Sequence, residues 1–363
     1  MLKRQASVGT CIEEMETPLL MIDLEAMERN IQRMAGHFAG VGANLRPHAK
    51  THKTPALARL QIEAGAIGIC CGNLDEAEVM IDAGIDGVLV TREIVLPGQL
   101  ARVAELSRRA DIIVVVDDEG VARRLDEAAT AASVQVGVLV DVDVGLGRCG
   151  VQPGESARGM AYRVDRAKGL RFRGIMGYEG AMHSLVKAER ERRCREAMQD
   201  LVRTRRLIEK DGIAVEIVSG GGTTTYRTVS SFPEITEAQA GSYITYDAEY
   251  RSILPEFECA LSVLTTVISR PSPSRVTTDA GKKKLTEDAG LPVVKDGSGL
   301  TLIGLSEEHG IIDKSDSGRE VSVGDQLQII PSHGCTTFNL YDRVYGFRGD
   351  RLEVVWDVAA RGT

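Results

Sequence analysis

Nine residues, Leu45-Arg46-Pro47-His48-Ala49-Lys50-Thr51-His52-Lys53, bring two lysines, two histidines and an arginine together between two helical segments. A lysine amine held near other cations in a partly desolvated site loses proton affinity and becomes a nucleophile able to form an imine. Lys50 is the candidate for that role, with a solvated loop lysine as the plain alternative, and Lys53 is read as a surface or supporting residue. A second stretch, Ser219-Gly220-Gly221-Gly222-Thr223-Thr224-Thr225, has glycines that let a backbone approach a ligand, amides that can form an anion nest, and hydroxyl donors. Its plain alternative is a flexible turn. Ala240-Gly241-Ser242-Tyr243 supplies further donors for the same anion, including the Tyr243 hydroxyl. Arg148, among the glycines that follow Asp143, can face an anionic oxygen or pair with Asp143. In Pro331-Ser332-His333-Gly334-Cys335, strand geometry would put His333 and Cys335 on one face, where both could bind one divalent cation. Two protein ligands leave positions open for substrate and water, whereas the plain reading is a core histidine beside a buried cysteine. His309, after Glu307-Glu308, is a candidate to support such a metal.

These groups need a scaffold, and the chain supplies a regular one. Thr17 to Leu24 reads as a strand, followed by a helix to about Phe38. Eight short apolar runs then follow, at Leu45 to Lys50, Ile67 to Cys71, Gly87 to Thr91, Ile112 to Asp117, Val136 to Asp143, Phe172 to Glu179, Ala214 to Ser219 and Ile235 to Ser242. Amphipathic segments such as Leu74 to Ala83, Gly98 to Arg109, Glu119 to Ala132, Gly154 to Ala167 and Ala188 to Lys210 separate them. Nearly continuous apolar strands alternating with helices imply a parallel sheet covered by helices, and eight units favour a closed (β/α)₈ barrel. Reactive groups in such barrels gather at the C-terminal ends of the strands, and loops after the seventh and eighth strands commonly hold phosphate. Near Tyr250 the rhythm stops. Phe257 to Arg270, Arg275 to Asp279, Leu300 to Leu305, Gln326 to Ile330, Arg343 to Arg348 and Arg351 to Val358 read as strands, with a loop at Arg270 to Ser274 and a hairpin tip at Gly349. The expected division is a barrel over 25–250 and an all-β domain formed by 1–24 and 251–363.

The 363 residues are 43% hydrophobic, enough for two cores. A net charge of −8 argues against nucleic-acid binding, and Lys282-Lys283-Lys284 is too small a basic spot to reverse that. No apolar run reaches membrane-spanning length, and Met1-Leu2-Lys3-Arg4-Gln5 lacks the apolar core of a signal peptide, so a soluble, cytoplasmic protein is expected. Seven scattered cysteines suit reduced thiols rather than a disulfide framework.

Arg46-Pro47-His48-Ala49-Lys50, Gly147-Arg148-Cys149-Gly150, Ser219-Gly220-Gly221-Gly222-Thr223, Gln239-Ala240-Gly241-Ser242-Tyr243, Glu308-His309-Gly310 and Pro331-Ser332-His333 occur in one order. On these motifs the chain resembles the D-threonine aldolase and D-serine dehydratase family over nearly its whole length, from Thr17-Pro18 to Ala359-Ala360-Arg361-Gly362. The resemblance implies an alanine-racemase-type barrel with a C-terminal β domain. It also implies pyridoxal 5'-phosphate and a divalent metal (Mn, Mg or Zn) as cofactors, and a small D-amino acid with a 3-hydroxyl as substrate. By resemblance, Lys50 carries the cofactor covalently, Arg148 lies near its phenolic oxygen and Tyr178 beside its ring. Gly221, Gly222, Thr223, Gly241 and Tyr243 surround its phosphate, and His333 and Cys335 ligate the metal. A homodimer is left open.

Two departures bear on the reaction. The family's aldolases carry His-x-Asp where this chain has His333-Gly334-Cys335, its dehydratases carry His-x-Cys, and a thiolate favours zinc. Tyr178-Glu179-Gly180-Ala181-Met182-His183 and the stretch from Gly145 to Gly150 look more like the aldolase branch. The branch's catalytic histidine aligns with Ser184, so a one-residue shift gives the base role to His183. Glu179 would place an acid near the ring. Aldol cleavage to glycine and an aldehyde is the expected activity, and elimination to a 2-oxo acid and ammonia is the alternative. A racemase ranks lower, because it needs a second base and has no use for the His333/Cys335 pair. A non-catalytic cofactor carrier, usually a lone barrel, ranks last.

Overall fold

The structure is a computed structural model that describes residues 7–180, 182, 184–296 and 299–363; the expected base His183 lies outside the described residues. Strand β1 (Leu19–Asp23) and helix α1 (Leu24–Ala39) open the chain. A strict alternation follows: β2 (Asn44–Leu45), α2 (Pro55–Glu63), β3 (Ile69–Cys71), α3 (Leu74–Asp82), β4 (Val88–Val90), α4 (Pro97–Leu106), β5 (Ile112–Val116) and α5 (Glu119–Ala131). It continues through β6 (Val136–Asp141), α6 (Glu155–Asp165), β7 (Leu170–Gly177), α7 (Lys187–Glu209), β8 (Ile217–Gly220), α8 (Tyr226–Val229) and β9 (Glu237–Ala238).

Strands β2 to β9 are parallel, in the order β2-β9-β8-β7-β6-β5-β4-β3. The ring closes where Ile67 N–H donates to the Leu45 carbonyl (2.9 Å), Cys70 N–H to the Pro47 carbonyl (2.8 Å), and His48 bridges Cys70. The eight apolar runs therefore supply the eight strands of a closed parallel barrel. Strand alternation explains why they are apolar throughout. Cys70, Leu89, Ile113, Val115, Leu139, Met176 and Ile217 fill the barrel, while the residues between them, such as Ile112, Val114 and Val116, meet the helices at Leu100, Val103 and Leu125. Helix starts are capped locally: Asn73 accepts from Glu76 N–H, and Asp118 from Val121 N–H. Strand β2 keeps only two residues, since Pro47 has no N–H for a ladder, and Lys50 sits in a single turn, Ala49–Thr51, rather than at a strand end.

Two buried charges in the barrel are handled in opposite ways. Arg46 donates from Nε to both Glu237 carboxylate oxygens (3.1 Å each) and from Nη2 at 3.0 Å, and its Nη1 reaches the Gly87 carbonyl. Both side chains are almost wholly buried. Asp141, ending β6, has no such partner. Burial first, then a hydrogen bond from its protonated form to Glu93 and the charges of Glu93 and Asp117, push its acid up to about 8, against the pull of Arg148.

The other compact unit comprises the chain up to Arg33, Thr51–Thr54 and Ser242–Gly362; the barrel unit is Met34–Lys50 and Pro55–Gly241, with Thr363. Besides β1 this unit holds α9 (Ala248–Arg251), β10 (Leu261–Ser272), β11 (Arg275–Thr278), β12 (Val293–Val294), β13 (Thr301–Leu305), β14 (Gly310–Asp313), β15 (Gln326–Ile330), α10 (Gly334–Phe338), β16 (Arg343–Arg348) and β17 (Arg351–Asp357). The strands form one nine-stranded sheet in which β1 pairs antiparallel to β10 and parallel to β16. Met15, Leu19, Met21, Leu264, Phe347 and Leu352 pack as one core. The hairpin tip is where the sequence put it, with Gly349 at φ 57° between β16 and β17. The expected loop at Arg270 to Ser274 is a correction: β10 runs on to Ser272, which pairs with Arg275, leaving Pro273-Ser274 as the turn. Lys53 is also corrected, being buried rather than at the surface, with its carbonyl accepting from Ala360 N–H. Among the described residues, no helix is long and apolar enough to cross a membrane, and none of the seven cysteines is in a disulfide.

Arg46→Ala leaves the Glu237 carboxylate buried and alone, and should cost about 3–5 kcal/mol in denaturant unfolding. Replacing both residues by methionine should recover most of that loss. For Asp141 the sign is fixed by its raised acid. The folded state holds a proton that the unfolded chain releases near pH 4, so this residue lowers stability as pH rises from about 4 to 8. Asp141→Asn should flatten that decline in unfolding free energy measured between pH 5 and 8; an unchanged slope would refute the assignment.

Candidate functional site

Four of the expected residues meet at the C-terminal end of the barrel strands. Tyr178 follows the last residue of β7, and two cations flank its ring: Lys50 Nζ lies 6.0 Å and Arg148 Cζ 5.8 Å from the centroid. A Cβ added to Gly222 would sit 3.6 Å from the same ring, so the glycine-rich loop reaches the cluster too. Among the protein's own atoms Lys50 is an exposed residue, where the sequence suggested a partly desolvated one. The alternative pairing of Arg148 with Asp143 also changes: Asp143 Oδ1 accepts from the Gly145 (3.0 Å) and Gly147 (2.9 Å) amides and shapes the loop.

The loop after β8 differs in detail from an open nest. Gly221 turns at φ 73°, which favours glycine, and its N–H donates to Glu179 Oε2 at 3.2 Å. Gly222 N–H donates to Thr225 Oγ1 (3.0 Å), and Thr225 Oγ1 donates to Glu179 Oε1 (2.5 Å). Cys194 of α7 adds its thiol to Glu179 Oε1 at 3.7 Å. Glu179 therefore binds the loop, and two amides expected to bind an anion are engaged inside the protein. Burial raises the Glu179 acid, against which the bonds from Thr225, Cys194 and Gly221 act. Thr223 Oγ1 is left over. Among the described residues it is one of three buried side-chain polar atoms without a hydrogen-bond partner. Such an orphan is costly, and an anionic group accepting from it would remove the cost.

Gly241 passes so close to His48 that a Cβ would strike the His48 carbonyl oxygen, and His48 Nε2 lies 3.0 Å from Thr91 Oγ1. In the β unit, Tyr243 is buried in the turn Ser242–Ile244, its ring centroid 6.1 Å from that of Phe257.

The expected metal pair is also in the β unit, on a different local structure from the one the sequence suggested. His333 and Cys335 are not on a strand. β15 stops at Ile330, His333 is the residue before α10, and Cys335 lies in its first turn. His333 Nδ1 is 2.6 Å from Asp288 Oδ2, and Asp288 Oδ1 accepts from Thr336 Oγ1 (2.9 Å). A bond with Cys335 first, then burial acting the other way and the bond to Asp288, bring the His333 acid up to about 10. Cys335 Sγ is 3.7 Å from Thr51 Oγ1. The donor set fits a divalent ion: a thiol beside an imidazole whose Nδ1 is fixed by a carboxylate. Among the described residues no three histidine, cysteine or acidic side chains form a complete cage. Asp288 carries no spacing signal and was not visible in sequence. His309 is exposed in the turn Ser306–His309, and Lys282 and Lys283 pair with Glu287 and Glu308.

Comparison with known proteins gives the same outline. The family described as alanine racemase, N-terminal domain, matches residues 22–249, and a serine dehydratase domain matches residues 260–347. A D-threonine aldolase of an Arthrobacter species is 36% identical, covering 98% of this chain and 96% of its own. The solved D-threonine aldolase of Filomicrobium marinum superposes with a TM-score of 0.96 at 38% identity, covering 98% of this chain and 99% of that one. A D-threo-3-hydroxyaspartate dehydratase, solved as a cysteine-to-alanine variant in the metal-free form, gives 0.84 at 27% identity, covering 96% and 98%. The chain therefore belongs to the alanine racemase N-terminal domain family, within the branch that contains D-threonine aldolases and hydroxyaspartate dehydratases.

Proposed function

We propose that this protein is a pyridoxal-phosphate- and divalent-metal-dependent lyase that cleaves D-3-hydroxy amino acids to glycine and an aldehyde. The observation that carries the reading is the group around Tyr178: an amine and a guanidinium flanking one aromatic ring, beside a loop that ends in the orphan hydroxyl of Thr223. An aromatic ring between two cations suits a planar, anionic cofactor, and the orphan hydroxyl suits its phosphate. The likeness to D-threonine aldolases over nearly the full length supports carbon–carbon cleavage.

When bound, the cofactor supplies an electron sink for the bond broken at Cα, and the metal a Lewis acid for the substrate hydroxyl. The chain's own residues do the rest. Lys50 tethers the cofactor through its amine, and Arg148 offers its guanidinium to the phenolic oxygen. Thr223 donates to the phosphate, while Glu179 keeps the loop in shape. His333 and Cys335 hold the ion, with Asp288 fixing which imidazole nitrogen faces it. His183 takes the hydroxyl proton for aldol cleavage.

One observation favours a second reading, a dehydratase. The dehydratase solved metal-free lacks a cysteine, and a companion variant of that protein lacks a histidine two positions earlier. His333 and Cys335 have the same spacing. In that reading Lys50 removes the Cα proton and the hydroxyl leaves, giving a 2-oxo acid and ammonia.

Incubation of the purified protein with D-threonine or D-3-hydroxyaspartate, pyridoxal phosphate and Mn²⁺ or Zn²⁺ should give glycine and the matching aldehyde, and EDTA should abolish it. A 2-oxo acid with ammonia would transfer the assignment to the dehydratase; neither product pair and no chelator effect would sink both. Lys50→Ala should lose the cofactor's imine absorbance and at least about a hundredfold in rate. Thr223→Val should weaken cofactor binding, read by absorbance titration, by about 10- to 100-fold, as expected for one hydrogen bond to a charged group.

A further inference from the structure

We infer that Asp247 is a positioning residue that sets His333 and Cys335 in ligating geometry, acting through the backbone of Gly334 between them. The inference rests on reading those two residues as metal ligands. A histidine directly before a helix can use its ring to accept a first-turn N–H. His333 makes no such bond, because its Nδ1 is turned to Asp288. A ring nitrogen used as a cap would be lost to a metal. The cap comes instead from a carboxylate 87 positions earlier: Asp247 Oδ2 accepts from Gly334 N–H at 2.8 Å.

That carboxylate is itself fixed. Its Oδ1 accepts from Tyr250 N–H at 3.2 Å, capping α9, and the residue is only 2% exposed. Its neighbours run alongside the same segment, with Ala248 N–H donating to the Pro331 carbonyl (3.0 Å) and Glu249 N–H to the Ser332 carbonyl (3.2 Å). Three consecutive residues, 247 to 249, thus grip 331, 332 and 334. The fit is close enough that a Cβ on Gly334 would lie 3.4 Å from both Asp247 Oδ2 and Leu261. Successive residues of a helix are turned by about 100°. A change in the phase of the first turn of α10 therefore swings the Cys335 thiol away from the His333 imidazole. Asp247 holds that phase. Asparagine has nearly the same shape but one acceptor oxygen, so it places an NH₂ group against one of the two N–H groups that aspartate satisfies.

The test uses full-length protein stripped of metal, titrated with Zn²⁺ against a chromophoric chelator. Asp247→Asn should bind zinc about 10- to 100-fold more weakly, the size seen when an outer support of a metal ligand is lost. Its circular dichroism and cofactor absorbance should match wild type, and turnover at saturating zinc should recover towards wild type. Gly334→Pro gives a second route: it removes the donated N–H at a first-turn position that tolerates proline, after a residue already extended at φ −135° and ψ 113°. A folded Asp247→Asn or Gly334→Pro protein with wild-type zinc affinity would overturn the positioning role. Equal zinc binding by wild type and His333→Ala would overturn the metal reading itself, and is a separate result.

Discussion

The Arg46–Glu237 ion pair fixes where the first barrel strand lies against its neighbours. Strand β2 offers only Asn44 and Leu45 to β9, and Pro47 cannot extend the pairing. What holds the chain here is a guanidinium that spans Glu237 on β9 and the carbonyl of Gly87 before β4. Room for it is made by glycine. A Cβ on Gly68 would strike both the Arg46 guanidinium and the Gly87 carbonyl. Taking both charges out of water is costly, and a hydrophobic pair of the same volume could serve stability as well. The ion pair adds direction, since a fork meeting a carboxylate fixes the strand's position along its neighbours. Lys50 lies four residues further along the same segment, so its place at the barrel mouth follows from where Arg46 is locked.

Buried carboxylates then do similar work elsewhere in the chain. Glu179 collects the Gly221 amide, the Thr225 hydroxyl and the Cys194 thiol, and fixes the loop after β8. Asp247 collects two amides and fixes the start of α10. In both cases an acid pays a desolvation cost to order backbone that carries functional groups. A loop of three glycines and three threonines would otherwise sample many conformations. Glu179 and Thr225 take two of its amides, and among the described residues the Thr223 hydroxyl is a buried donor left for an outside anion.

The barrel was legible in the sequence because parallel strands are buried on both faces. Runs such as Ile112-Ile113-Val114-Val115-Val116 have no polar positions, and helices between them keep a regular spacing. Lys50, Tyr178 and Arg148 meet at the mouth because each follows a strand or its closing turn. The β unit was less legible. Strand β14 has four residues, and α10 exists through an acceptor far away in sequence, so a rule of strand alternation put His333 and Cys335 on the wrong kind of element. Its close spacing survived the error, because a helix start can also bring residues two apart within reach. Local pattern likewise gave no hint that Glu179 binds the loop after β8, or that Lys53 is buried. Both follow from tertiary contacts.

The choice between cleavage and elimination turns on proton removal rather than on the ion. Either outcome calls for a Lewis acid at the 3-hydroxyl, so the ligand pair alone discriminates weakly. As a metal ligand Cys335 would give more electron density than an aspartate, while a hydroxyl such as that of Thr51, placed 3.7 Å from its sulfur, could donate to a thiolate and reduce that difference. Asp288 acts in the other direction on His333, making the imidazole a stronger donor. With these effects opposed, acidity at the metal is a poor guide to the reaction. Aldol cleavage needs a base for the hydroxyl proton, and elimination needs one for the Cα proton, a role within reach of a lysine that already carries the cofactor. The stretch Tyr178-Glu179-Gly180-Ala181-Met182-His183 resembles the aldolase branch but carries its histidine one residue before the aligned position, so proton removal by His183, rather than the ligand pair, is what would separate cleavage from elimination.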